Sequence, residues 1–220
     1  MMQKAHAERL TTSLLENLPR LWWGFRPSLV PDIVAERGSW GAVKWFVKTM
    51  PRFQWSLTVD GPLRTQLLCT AISMLNSCPY CTYGHAYAFQ LHYFRLRGRL
   101  FPADEQDMLA WQRDGEETVT ERLREALWKA DLALEIPVFE RLLELRGGAA
   151  PETAEDRRIQ HLLSMLGILN ACALRNPPAL DEAHDPINRD VALKRRYAEA
   201  RREDDRGAPH ASSSPATPIH

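Results

Sequence analysis

The sequence predicts an all-α protein. Apolar residues recur at spacings of three and four, as in Leu67, Leu68, Ala71, Ile72 and Leu75 or Leu123 and Leu127, and such spacing lines one face of a helix. Proline, glycine and capping residues punctuate these stretches where helices start and stop. No segment alternates convincingly with a period of two, the mark of a half-buried strand.

Residues 1–18 form an amphipathic stretch around Leu10, Leu14, Leu15 and Leu18, and Pro19 is expected to stop it. An aromatic segment follows, Leu21 to Phe25, then Pro27 and Pro31. Trp40, Val43, Trp45, Phe46 and Val47 mark a short apolar helix expected to end before Pro51. Five of the seven tryptophans precede residue 60. Residues 1–58 are therefore read as a Trp-rich helical extension whose aromatics fill a core or a subunit interface, with a ligand-pocket wall as the rival reading.

A helical core is expected over residues 59–180. Asp60-Gly61-Pro62 opens a helix with a capping carboxylate and a first-turn proline. Its body, to Ser77, is apolar on most faces and should be buried. The next helix runs from Pro79 to Leu96 and stops at Arg97-Gly98. Pro102-Ala103-Asp104 opens a short helix to Trp111, Thr118 or Thr120 starts another, and one from Pro137 ends at Gly147-Gly148. Pro151-Glu152-Thr153 opens a long helix to Leu174, ended by Asn176-Pro177-Pro178. Residues 181–205 form a charged segment, read from Asp185 on as an exposed last helix. Its basic runs are interleaved with Glu199, Glu203 and Asp204, as on a solvated face. Residues 206–220 are mostly Gly, Pro, Ala, Ser and Thr and are expected to be disordered.

The chain has 220 residues, and its 28 Lys and Arg balance 28 Asp and Glu. No whole-chain charge directs it to nucleic acid or to a membrane surface. No apolar run approaches the roughly 20 residues that span a bilayer, and the first 20 residues lack the apolar centre of a signal peptide. The expectation is a cytoplasmic protein with no nucleic-acid and no membrane partner. In that compartment a Cys-x-x-Cys pair is catalytic or metal-binding rather than a static staple.

Such a pair lies in Asn76-Ser77-Cys78-Pro79-Tyr80-Cys81-Thr82-Tyr83-Gly84-His85. On a helix, Cys78, Cys81 and His85 share one face. Pro79 suits a first turn, which puts Cys78 at a helix N-terminus, where free backbone N–H groups favour a thiolate. Two thiols within disulfide reach, with a base beside them, suffice for thiol–disulfide chemistry. A zinc site is the rival, with His92 further along the same face as fourth ligand, but no second Cys-x-x-Cys or His pair closes the sphere. No metal is therefore assigned. Inert packing of small apolar cysteines is the bland alternative. Cys69 reads as packing and His161 as structural, while Tyr83, Tyr87 and Tyr93 line the core or a pocket.

The helix before this motif has an echo. Arg64, Gln66, Leu68, Leu75, Asn76 and Cys78 recur as Arg158, Gln160, Leu162, Leu169, Asn170 and Cys172, 94 residues on. The second copy has Arg175 in place of the second cysteine and Ala179 in place of the histidine. This pattern points to two pseudo-repeated helical halves of which only the first carries the chemistry; chance similarity of two leucine-rich helices is the alternative.

A buried helix ending in Asn-x-Cys-x-x-Cys-x-x-x-His resembles the alkylhydroperoxidase D / carboxymuconolactone decarboxylase superfamily, specifically over about Arg64 to Leu96. The resemblance implies an all-helical alkylhydroperoxidase D-like fold and a thiol oxidoreductase or peroxidase. In it Cys81 attacks a hydroperoxide or disulfide, Cys78 resolves the product as a disulfide, and His85 serves the proton relay. It also implies no cofactor beyond the redox-active disulfide, an external dithiol reductant, and a homodimer or homotrimer. Tyr80, Tyr83 and Tyr87 are the candidate substrate contacts. The family's usual glutamate is Gln66 here, and Tyr80 stands where its peroxidases often carry a histidine. Glutamine cannot accept a proton, so Gln66 is expected to orient His85 or a water. If a missing base limits the enzyme, Gln66→Glu should raise its peroxide rate. The alternative function is a non-redox protein on the same fold that binds an apolar small molecule or does acid/base chemistry.

Overall fold

The computed structural model describes residues 2–180 and 182–207, and these form helices and loops. The helices are α1 Met2–Trp23, α2 Val30–Val59, α3 Pro62–Leu75, α4 Pro79–Arg97, α5 Glu105–Asp114, α6 Glu116–Lys129, α7 Ile136–Arg146, α8 Ala154–Arg175 and α9 Val191–Gly207, with short 3-10 turns at Ala133–Glu135 and Pro186–Arg189. Among them, no helix is long and apolar enough to cross a membrane. The expected disordered tail lies, from residue 208, outside the described residues; Arg206 and Gly207 continue α9.

The fold is organised around α3. Every residue from Thr65 to Leu75 is buried, because α2, α4, α5, α6, α7 and α8 all pack against this one helix. A helix apolar on all sides can be stabilised only in such a position. Leu67, Ile72 and Met74 of α3 join Phe89, Phe101 and Phe139 in the main core. Beyond its end the chain passes through half-buried Asn76 and exposed Ser77 to the buried Cys78.

Local signals hold at several helix ends. Asp104 and Thr153 each form a full capping box, opening α5 and α8. Gly98 closes α4 in the left-handed conformation. Asp60 does not cap α3. Gly61 takes that position, and the Asp60 carboxylate accepts from Arg158 Nε at 2.7 Å. The helix expected from Thr118 or Thr120 begins earlier, at Glu116.

Two prolines expected to end helices do not. α1 continues through Pro19 to Trp23, and α2 through Pro51 to Val59. A proline removes one backbone hydrogen bond, and the flanking turns are held by packing of α1 on α2 and of α2 on α3 and α8. The end of α1 is further secured from the opposite end of the chain. Arg189 Nη1 donates to the Leu21 carbonyl at 3.0 Å, and Asn188 Nδ2 to that of Gly24 at 2.9 Å. The break in α2 falls instead at Gly38 (φ 67°, ψ 165°), a backbone state that glycine reaches without a Cβ clash.

α3 and α8 carry the sequence echo and lie side by side. Their equivalent asparagines bond to each other, Asn76 Nδ2 to Asn170 Oδ1 at 2.8 Å. Their equivalent arginines reach across in return, Arg64 Nη1 to Glu155 at 2.9 Å and Arg158 to Asp60. The helices thus run in the same direction, with near-reciprocal contacts at both ends.

The segment after residue 181 is no merely exposed helix. His184 N donates to the Gly84 carbonyl at 2.9 Å. Ala183, Ile187, Leu193 and Tyr197 are buried against Ala88 and Leu91 of α4. Only the outer face of α9 is solvated. Its inner face repeats every four residues, and there Arg201 bonds Tyr197 and Gln90 at 3.0 Å each.

Candidate functional site

The turn from α3 into α4 sets the two cysteines. Ser77 takes a left-handed φ of 54°, and Cys78 is the extended N-cap of α4, followed by Pro79 in the first turn. Cys78 N donates to the Ser73 carbonyl at 3.0 Å. Both thiols are buried, and all four cysteines are unbridged. The neighbouring Cys81 thiol, the Cys81 and Tyr80 backbone N–H groups and the Asn170 side chain lower the pKa of Cys78 against the opposing effect of burial. Proximity to Cys78 and burial push Cys81 well up. Negative charge therefore favours Cys78, at the helix start, and the shared proton favours Cys81.

His85, one helical turn past Cys81, is held by a chain of buried groups. Its Nδ1 lies 2.8 Å from Gln66 Oε1. Gln66 Nε2 donates to Asp185 Oδ2 at 2.7 Å and to the His184 carbonyl at 3.3 Å. Asp185 Oδ1 accepts from Ile187 N at 2.8 Å and lies 3.0 Å from His92 Nε2. Burial first, and His184 second, hold the pKa of His85 well below the usual imidazole range, so the ring is neutral.

Cys81 and His85 open on one cavity of about 80 Å³. Trp23, Phe25, Trp45, Phe46 and Phe53 supply much of its wall, so aromatics of residues 1–58 line the cavity beside Cys81 and His85, as in the pocket-wall reading. Tyr80 and His184 add its remaining polar groups, and burial raises the Tyr80 hydroxyl to about 12. The His184 ring stacks on Phe25 at 5.2 Å and meets Tyr80 at 4.7 Å and His85 edge-on at 5.2 Å. Burial lowers its pKa to about 4. Gly84 makes this approach possible, since a Cβ there would sit 2.4 Å from the His184 ring.

Cys78, Cys81, His85, Gln66 and Tyr80 are thus brought together. Tyr83 and Tyr87 are not: they pair with each other at 6.1 Å, and Tyr87 continues to Tyr197 of α9 at 5.9 Å, away from the cavity. His92 is turned to Asp185 and not to the cysteines, and among the described residues no three His, Cys, Asp or Glu side chains are grouped to hold a metal ion. Sequence reasoning missed His184 and Asp185. Their one local signal was Asp185-Pro186, a capping residue before a first-turn proline, and Asp185 does cap the 3-10 turn that follows. Asn170 was seen only as part of the repeat.

No protein-family model, curated protein or solved structure matches this chain.

Proposed function

We propose that the protein is a thiol oxidoreductase of the alkylhydroperoxidase D type that reduces a hydroperoxide, or exchanges a disulfide, at Cys81. The observation that carries this reading is the adjacent Cys78–Cys81 pair whose second member lines the same apolar cavity as a neutral histidine. Because burial disfavours a standing Cys81 thiolate, His85 takes the Cys81 proton as the sulfur attacks the terminal peroxide oxygen. The O–O bond breaks, Cys81 becomes a sulfenic acid, and the proton passes to the departing alkoxide to give an alcohol. The Cys78 thiolate then attacks the Cys81 sulfur. The disulfide forms, and hydroxide leaves and takes a proton to give water. An external dithiol returns two electrons and two protons and is itself oxidised to a disulfide.

The test is mass spectrometry after mild treatment with an alkyl hydroperoxide. The expected result is loss of two hydrogens, confined to the peptide with Cys78 and Cys81 and reversed by a dithiol. Unchanged thiols at substrate-level peroxide overturn the reading. A second reading, apolar small-molecule binding or acid/base chemistry without redox, is favoured by the almost wholly apolar cavity wall and by glutamine at position 66. It predicts ligand-dependent thermal stabilisation with the thiols unchanged.

A further inference from the structure

The Gln66 amide has a direction, and Asp185 sets it. Both Asp185 oxygens face donors: Oδ2 takes the Gln66 amide, and Oδ1 the Ile187 N–H. The His184 carbonyl, a pure acceptor, lies on the same side of Gln66. The amide must therefore turn its NH₂ toward residues 184–185 and its oxygen toward His85. An amide oxygen only accepts, so His85 Nδ1 carries the hydrogen. A neutral imidazole has one ring N–H, which leaves Nε2 as its lone-pair nitrogen.

We propose that Asp185 is the positioning residue for His85: acting through the Gln66 amide, it fixes the imidazole as the Nδ1–H tautomer and keeps Nε2 free to take a proton. The carboxylate that would otherwise stand at position 66 is thus displaced by one hydrogen bond and supplied from a segment 119 residues away. Docking of that segment holds it in place, through the His184 to Gly84 backbone bond and the buried Ala183 and Ile187.

This positioning reverses the effect that the sequence leads one to expect of Gln66→Glu. The substitution would place a second carboxyl group in contact with Asp185 in a buried site. Two carboxylates cannot both ionise there, and the amide link is lost. The substitution should slow the protein. Asp185→Asn is the complementary change. Its oxygen is retained by the Ile187 N–H, so its NH₂ faces Gln66 and turns that amide over, against the longer 3.3 Å bond to the His184 carbonyl, which the new donor at 185 outweighs. Gln66 then presents NH₂ to Nδ1, and His85 becomes the Nε2–H tautomer. In the double variant Gln66→Glu with Asp185→Asn, the new amide at position 185 donates to the new carboxylate at position 66. That carboxylate accepts from Nδ1, and the original tautomer returns.

The closing experiment is nitrogen NMR of the full chain labelled at histidine, beside the rate of peroxide-driven Cys78–Cys81 disulfide formation. Wild type should show a protonated Nδ1 on His85, Asp185→Asn a protonated Nε2, and the double variant a protonated Nδ1 again. A merely structural role would not invert a tautomer and then restore it. The tautomer arm stands without the proposed activity; only the rate arm rests on that reading. There, Asp185→Asn should lose about a hundredfold, and the double variant should recover most of it. An unchanged His85 tautomer in a folded Asp185→Asn protein overturns the inference. Absence of thiol oxidation in wild type, with the tautomers as stated, overturns the proposed function alone.

Discussion

The ends of α3 and α8 start from the same residues and reach opposite outcomes. Each delivers an asparagine and, two residues later, a buried cysteine. Cys78 begins a new helix, with backbone N–H groups, the Cys81 thiol and Asn170 around it, and its pKa is lowered. Cys172 still lies within α8, and its neighbours are Glu36 at 3.7 Å and Arg175 at 3.5 Å. Burial first, and then the Glu36 charge, raise its pKa. The equivalent glutamines of the two helices differ in the same way: Gln66 is buried and bonded at both ends, whereas Gln160 is exposed. A sequence pattern thus places a group, and the next element in space decides whether that group is reactive.

The largest expected effect separates the two cysteine ends. Cys81→Ser should abolish peroxide-driven disulfide formation, by mass-spectrometric thiol count, whereas Cys172→Ser should leave it within twofold. Equal losses would break the comparison.

Acid should expose the cover that only the first end possesses. His184 stays neutral in the fold down to about pH 4, but the unfolded chain takes up a proton near 6.5. The His184 contribution to stability should therefore be complete above 6.5, fall by about 3 kcal/mol as pH drops to 4, and level off below, with His85 adding to the loss in the same direction. Denaturant unfolding across this window measures it, and His184→Phe should make the fall shallower, leaving the part due to His85.

Gly84→Ala pushes a methyl group into the His184 ring and should cost about 1–3 kcal/mol in denaturant melts. The paired asparagines allow a finer division. Asn76→Ala and Asn170→Ala remove the same bond and should each cost roughly 1–2 kcal/mol. Only Asn170→Ala should raise the pH at which Cys78 reacts with a thiol reagent, because Asn170 contributes to lowering that pKa. The smallest effect is a gain: Gly167, in mid α8 with open space where its Cβ would lie, should stabilise by up to about 1 kcal/mol on change to alanine.

By itself the sequence determined the all-helical class, the burial of α3, the capping of α5 and α8, and the placing of Cys78, Cys81 and His85 on one short run. Each of these is written within a few residues, as a helical spacing or a cap. The tertiary structure alone decided that Pro19 and Pro51 would be carried through, that the tryptophan-rich start would wall the cavity, and that Tyr87 would face α9 with Tyr83 beside it. It also decided that a segment read as solvated would place His184 and Asp185 beside the motif. Those outcomes depend on contacts between residues up to 168 positions apart, as from Arg189 to Leu21. Such contacts leave no periodic trace along the chain, because packing energy, not local propensity, selects them.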